Sequence, residues 1–266
     1  MKNKQLIMLI TLSFLVIFGF SVQAVAGTTY NMGLSLAITG PTSDAGNPYS
    51  KGTEDYIKFA NETKILGDDK ISCPIKDDQY QTATAKRNFE EFLDQEIVLF
   101  LSYATGSNQA LAKDYTEEQI PVIPASFDKS LISEGTGSDY IFLSIPSYSH
   151  QFVGLGEYVA ANHKGGGIPK VALFIHPSAF GRAPVKDFKS ALAAGLKLDV
   201  VEVVEHGKDL DNSALLQRLQ SQGIQYVICQ TVQSPVATLI KDADRLGIKA
   251  KSFGEKGKIT FMGAHY

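Results

Sequence analysis

The sequence predicts an α/β protein built as two similar lobes, each a parallel sheet covered by helices. Three observations predict it. Short apolar runs alternate with helix-like patterns along most of the chain. The runs are apolar throughout rather than alternating, as strands buried on both faces must be. The rhythm breaks once, at Ser144-Ile145-Pro146-Ser147, and then restarts. The break divides the chain into lobes at 27–145 and 146–266.

The first strand is carried by Met32, Leu34, Leu36 and Ile38 and ends at Gly40-Pro41, because proline fixes φ and has no N–H for the ladder. Thr42, Ser43 and Asp44 follow at its C-terminal end. They fit either an ordinary helix-capping turn or the strand edge at which open α/β sheets bind ligands. A helix over Tyr49–Thr63 buries Tyr49, Tyr56, Ile57 and Ala60. Ile71, Cys73 and Ile75 alternate as a strand, and Pro74 inside it demands an edge position. A helix marked by Ala85, Phe89 and Phe92 leads to the strand Ile97–Leu101. A helix near Ala110–Glu118, the strand Pro121–Ile123 and a fifth strand, Ile141–Leu143, complete an order of 2-1-3-4-5. In the second lobe, strands at Val171–Ile175, Val200–Val204, Tyr226–Cys229 and Ile259–Met262 alternate with helices marked by Phe152 and Val159, Phe188, Leu216 and Leu239.

The N-terminus has the three parts of an export signal: the cationic Met1–Lys4, the apolar run Leu6–Phe20 and the small-residue site Ala24-Val25-Ala26. Residues 1–26 are therefore expected to be a signal peptide cleaved near Ala26. The run is shorter than the roughly 18–20 residues that a membrane span needs. A formal charge of −3 and the absence of a basic run exclude the usual nucleic-acid-binding profile. Cys73 and Cys229 sit in different lobes in strand-like contexts and read as separate buried thiols rather than a disulfide.

Catalytic signatures are missing. Gly40-Pro41-Thr42-Ser43 lacks the spacing of a nucleophile elbow. Gly254-Glu255-Lys256-Gly257-Lys258 lacks that of a phosphate loop, and Gly154-Leu155-Gly156 lies in a helical pattern after no strand. The five histidines never fall at i, i+4, so no metal site is suggested. Asp68-Asp69 and Asp77-Asp78 are adjacent pairs whose side chains diverge, and they read as solvated turns or caps. No cofactor and no enzymatic activity are expected. What recurs is small polar groups at strand exits: Thr42-Ser43, Thr105-Gly106-Ser107, Ala125-Ser126-Phe127, Gln230-Thr231 and Gly263-Ala264-His265. Converging on one edge, they would line a cleft, with Phe127, Phe180 and His265 as an apolar wall and helix N-termini favouring an anionic group.

The chain resembles type I periplasmic solute-binding proteins of the leucine/isoleucine/valine-binding type, the receptors of ABC importers. The residues that carry the resemblance are Ile38-Thr39-Gly40-Pro41, Asp77-Asp78, Ile123-Pro124-Ala125-Ser126, Ala179-Phe180-Gly181-Arg182 and Phe261-Met262-Gly263. The resemblance implies two Rossmann-like lobes, a periplasmic location, a small-molecule ligand captured in a closing cleft and a membrane permease as partner. It implies ligand contacts at Ala104, Thr105, Ala125 and Phe127 in the first lobe and at Phe180, Gln230, Val232 and His265 in the second, to which the polar strand exits add Thr42, Ser43 and Ser126. Departures accompany it. The family commonly has Ser or Thr where this chain has Ala104 and Phe127, Tyr where it has Phe180, and an acid near His265. Lost hydroxyls remove donors to a carboxylate, and a lost acid removes the partner of an ammonium group. The expected ligand is therefore a less zwitterionic carboxylate or amide. The family also continues past a Phe-Met-Gly strand, so the second lobe is expected to be incomplete. A ligand sensor of the same fold and an exported hydrolase are the alternative functions.

Overall fold

The structure, a computed structural model, describes residues 27–207 and 211–263. The expected signal peptide and His265 lie outside them. The first sheet is parallel and centred on β1 (Thr29–Leu36). On one side β1 pairs with β4 (Leu99–Ser102), and β4 pairs with β5 (Val122–Pro124). On the other side lie two three-residue strands, β2 (Lys70–Ser72) and β3 (Ile75–Asp77). They are the single strand expected over residues 71–75, split by Cys73-Pro74. The Leu34 N–H donates to the Pro74 carbonyl at 3.2 Å, so the ladder carries past the proline, which sits on the edge where its missing N–H costs nothing. The expected fifth strand is reduced to a parallel bridge between Val122 and Ile141. The order is otherwise the one expected.

The second sheet, also parallel, runs β7 (Asp199–Glu205), β6 (Lys170–Ile175), β8 (Tyr226–Gln230), β9 (Thr260–Gly263). Every residue of β8 is buried. Phe152 and Val159 of α4 (Tyr148–Asn162) and Phe188 of α6 (Val185–Ala193), which follows the short α5 (Ala179–Arg182), cover one face. Leu216 and Leu219 of α7 (Ser213–Ser221) and Leu239 and Ala243 of α8 (Gln233–Arg245) cover the other. In the first lobe, Phe89 and Phe92 of α2 (Thr82–Leu93) and Leu111 and Tyr115 of α3 (Thr105–Glu117) close on Phe100 of β4. Both cysteines are free: Cys229 is buried, with its thiol pushed up to about 12, and Cys73 is half-buried, pushed up to about 11, in each case by burial. Among the described residues no helix is long and apolar enough to cross a membrane.

The first helix departs from expectation. α1 spans Ser43–Glu62 and begins six residues before the expected start at Tyr49. Its buried residues are Gly46, Ser50 and Ala60, whereas Tyr49 and Tyr56 are 37% and 59% exposed. The reason is a close approach at the helix start. A Cβ on Gly46 would fall 2.0 Å from the Ala37 carbonyl oxygen, so the backbone of α1 rests directly on the exit of β1. Gly40, at φ +92, makes the turn that permits it. That contact sets which stripe faces inward, and the tyrosines fall outside it.

Candidate functional site

The C-terminal ends of β1, β3, β4 and β5 face those of β6 and β8 across a seam between the sheets. A narrow space of about 10 Å³, room for about one water molecule, lies there. That is far below the roughly 300–1,000 Å³ of sites for drug-sized molecules, so the two walls are closed on each other here. Its walls differ in chemistry. Thr42, Thr105, Tyr80 and Tyr103 of the first lobe bring hydroxyl groups, and Ala125 lies among them. Phe180 and Val232 of the second lobe and Tyr148, at the start of α4, present largely apolar surface. Among the described residues lining the space none is charged.

Each hydroxyl is placed by a network behind it. Thr105 opens α3, and its Oγ1 lies 2.7 Å from Ser126 Oγ, both groups fully buried. The Ala104 carbonyl just before it accepts from Asn108 Nδ2 at 3.0 Å, and Asn108 Oδ1 accepts from Ser102 Oγ and from the Tyr115 hydroxyl. Ala104 has no side chain able to cap the first N–H groups of α3, and such groups are ready partners for an anion. The Tyr103 hydroxyl donates to the Thr42 carbonyl at 3.2 Å. Thr42 is the N-cap residue of α1 yet makes no side-chain cap. Its Oγ1 is buried with no hydrogen-bond partner among the described residues. The turn therefore does not use this hydroxyl in the way a capping turn would. Tyr80 reaches the opposite lobe, with its hydroxyl 3.3 Å from Ser178 Oγ. Tyr80 and Gln79 sit at φ 63 and 55, a left-handed conformation that non-glycine residues rarely adopt. Burial raises the pKa of Tyr80 and of Tyr148, so both phenols stay protonated and able to donate at neutral pH.

The Asp77-Asp78 pair holds the Tyr80 turn in place. The expectation of a solvated pair is corrected here. Asp78 is 1% exposed and accepts from Ser35 Oγ and the Tyr80 N–H. Burial, opposed by those two hydrogen bonds, pushes its carboxyl up to about 6. Asp77 Oδ1 accepts from the N–H groups of Ile38, Thr39 and Gln79, and its Oδ2 accepts from Thr39 Oγ1. Partial burial raises its pKa, but these donors outweigh it and hold the carboxyl below the usual range. The pair ties the β1 exit to the β3 exit, and adjacent side chains diverge to do so.

Of the residues singled out from sequence, Thr42, Thr105, Ala125, Phe180 and Val232 line the space. Four others stand behind it. Ala104 and Ser126 hold Thr105, as described; Phe127 packs its ring on Tyr148 at 5.7 Å; Gln230 Nε2 donates to the Phe180 carbonyl at 3.4 Å. Ser43 is only half-buried and is placed by its N–H bond to the Gly40 carbonyl. Phe127 and Phe180, two of the three residues expected as an apolar wall, pack with Tyr148 and Val232, and the third, His265, lies outside the described residues. Tyr80, Tyr103 and Tyr148 were not anticipated. Each stands within three residues of a strand exit, acidic pair or break singled out from sequence, and an aromatic with a polar tip is the residue type that can serve a half-apolar wall.

Comparison with known proteins places this architecture. A family model described as "Periplasmic binding protein" matches residues 29–258. A solved structure of a branched chain amino acid ABC transporter from Thermus thermophilus with bound valine is 46% identical, with a TM-score of 0.81, covering 90% of this chain and 59% of its own. The leucine-, isoleucine-, valine-, threonine- and alanine-binding protein of Pseudomonas aeruginosa is 22% identical over 91% of this chain and 64% of its own length. The Leu/Ile/Val-binding protein homolog 3 of Brucella melitensis is 24% identical over 94% of this chain and 67% of its own. The chain thus spans about six-tenths of the length of the relatives it matches. With a family model matched from the first strand to the threshold of the last, and parallel sheets in the expected order, the chain belongs to the periplasmic binding protein family.

Proposed function

We propose that the chain captures a small carboxylate with a compact apolar group, amino acids of valine to leucine size foremost, in the space between its lobes. The reading makes it the extracytoplasmic binding component of an ABC importer, which hands its ligand to a membrane permease without covalent chemistry. The division of the space into a hydroxyl-bearing wall and an apolar wall carries the reading. A carboxylate would take the hydroxyls of Thr105 and Thr42 together with the N-terminus of α3, and an aliphatic side chain would lie against Phe180, Tyr148 and Val232. The name of the Thermus thermophilus structure, with its valine, supports the size class, and the family supports an exported, periplasmic setting. Export would use residues 1–26, and the lobes would divide near residue 145.

A second reading concerns charge. None of the described lining residues is charged, so an ammonium group would enter the space without a counter-charge from them. This favours carboxylates that lack the amine, and it agrees with the departures at Phe127, Phe180 and His265. Isothermal titration with valine, leucine and isovalerate separates the two readings. Micromolar binding of the amino acids supports the first, and preference for isovalerate supports the second. Failure of all three to bind would overturn the assignment of the site.

A further inference from the structure

We infer that Asp44 is the latch between the lobes, a positioning residue that sets ligand affinity without lining the ligand space. The inference rests on the reading of the seam as the ligand cleft. α1 and α8 belong to different lobes, and their N-terminal turns meet across the seam. The Ser234 N–H, in the first turn of α8, donates to Asp44 Oδ2 at 2.9 Å. Gln233 Nε2 donates to the Asp44 backbone carbonyl at 3.4 Å. Asp44 Oδ1 is buried as well, with no hydrogen-bond partner among the described residues, so the carboxylate stands in a sheltered seam where its one side-chain hydrogen bond, through Oδ2, is strong.

The sequence of each helix start prepares this meeting. The carbonyl of residue 44 should accept from the N–H of residue 48, but residue 48 is Pro48 and has none. Proline therefore leaves the Asp44 carbonyl to the opposite lobe. On the other side, Val232 is the N-cap residue of α8 and makes no side-chain cap, so Asp44 supplies the cap from the other lobe. Two helix N-termini carry partial positive charge, and turned toward each other they repel; a carboxylate between them reverses the sign of the interaction. The latch is also coupled to the ligand. Thr42 and Val232, which line opposite walls of the space, each precede a latch partner by two residues, and Tyr103, also in the wall, donates to the Thr42 carbonyl. Whatever draws Thr42 and Val232 together brings Asp44 onto Ser234.

Two variants break the latch from opposite sides. Asp44→Ala removes the acceptor. Ser234→Pro removes the donor in the first turn, where that N–H has no partner within the helix. Asp44→Asn keeps an acceptor but loses the charge. Small-angle scattering of the ligand-free full chain is expected to show a larger radius of gyration for D44A and S234P than for wild type, with D44N between. Valine affinity is expected to fall by about three- to thirtyfold in D44A and S234P, the range that a lost helix cap corresponds to, and by less in D44N. Circular dichroism confirms that each variant is folded. Scattering of folded D44A indistinguishable from wild type overturns the latch, as does an equal loss of affinity in D44A and D44N without any opening. If wild type binds no valine, leucine or isovalerate, the ligand reading fails, while the ligand-free scattering still decides the latch.

Discussion

The two lobes solve one architectural problem with different materials. In the second, the sheet is held by length and grease. β6 and β8 together contribute ten buried residues, five each, and aromatic and aliphatic side chains cover both faces. In the first, β2, β3 and β5 have three residues each, and the exits are fixed by buried polar networks: Asp77 and Asp78 with Ser35 and Asn88, Asn108 with Ser102 and Tyr115, Thr105 with Ser126. A hydrophobic contact is non-directional and cannot aim a hydroxyl, whereas a satisfied buried network fixes rotamers. The lobe that presents hydroxyls is the lobe that carries the networks, and the lobe that offers Phe180 and Val232 needs only shape.

The lobes therefore fail differently. Phe174→Ala, at the centre of the second sheet, is expected to cost about 3–5 kcal/mol by denaturant titration, since the cavity cannot collapse between two helical layers. The fraction that remains folded should bind ligand with unchanged affinity. Asn108→Ala in the first lobe is expected to cost less, about 1–3 kcal/mol, because it leaves buried partners unsatisfied. Unlike the phenylalanine change, it should also weaken binding, because the Ala104 carbonyl and the Thr105 turn lose their anchor. Equal affinity in the two variants would remove the distinction between the lobes.

Asp78 makes the stability of the first lobe depend on pH. Its carboxyl, pushed up to about 6 by burial, binds its proton more tightly folded than unfolded. Stability from this group is therefore greatest below about pH 4 and is lost as pH rises through about 6. Asp78→Asn should remove that loss. We expect the variant to gain about 1–3 kcal/mol over wild type at pH 7 and nothing at pH 4, read from melting at the two pH values. A variant destabilised equally at both would mean that the carboxylate itself, rather than a neutral group of its shape, is required by Ser35 and Tyr80.

Much of this was legible in the residues. The alternation of apolar strands and helical stripes gave both sheets, and Pro74 gave the edge, because these signals depend on local backbone chemistry. The space was half legible: Thr42, Thr105, Ala125, Phe180 and Val232 follow strand ends, and strand ends converge. Tyr80, Tyr103 and Tyr148 escaped because an aromatic near a strand end has the same pattern whether it packs in a core or turns to a cleft. Asp78 was misread for a related reason. Nothing in a pair of adjacent aspartates says that one will be buried by the strand beside it. The start of α1 was misplaced because the contact of Gly46 with Ala37 is tertiary, and the helical stripe read from Tyr49 and Tyr56 has no counterpart in the packing.

A surface ion pair tests where the seam is held. Lys129 and Asp187 lie on opposite lobes with Nζ 3.7 Å from Oδ2, and both are partly exposed, at 56% and 36%. An ion pair so placed contributes between zero and about 1 kcal/mol, because water screens the charges and two long side chains lose freedom. It spans the same seam as Asp44 and Ser234, so charge alone would rank the two contacts together. Desolvation ranks them apart: Asp44 Oδ1 is buried, and Oδ2 accepts from a backbone N–H already fixed by a helix. Lys129→Ala should therefore leave ligand-free scattering unchanged and alter valine affinity by less than about twofold, with high salt reproducing its effect. Opening of the lobes in K129A as large as in D44A would mean that surface charge holds the seam.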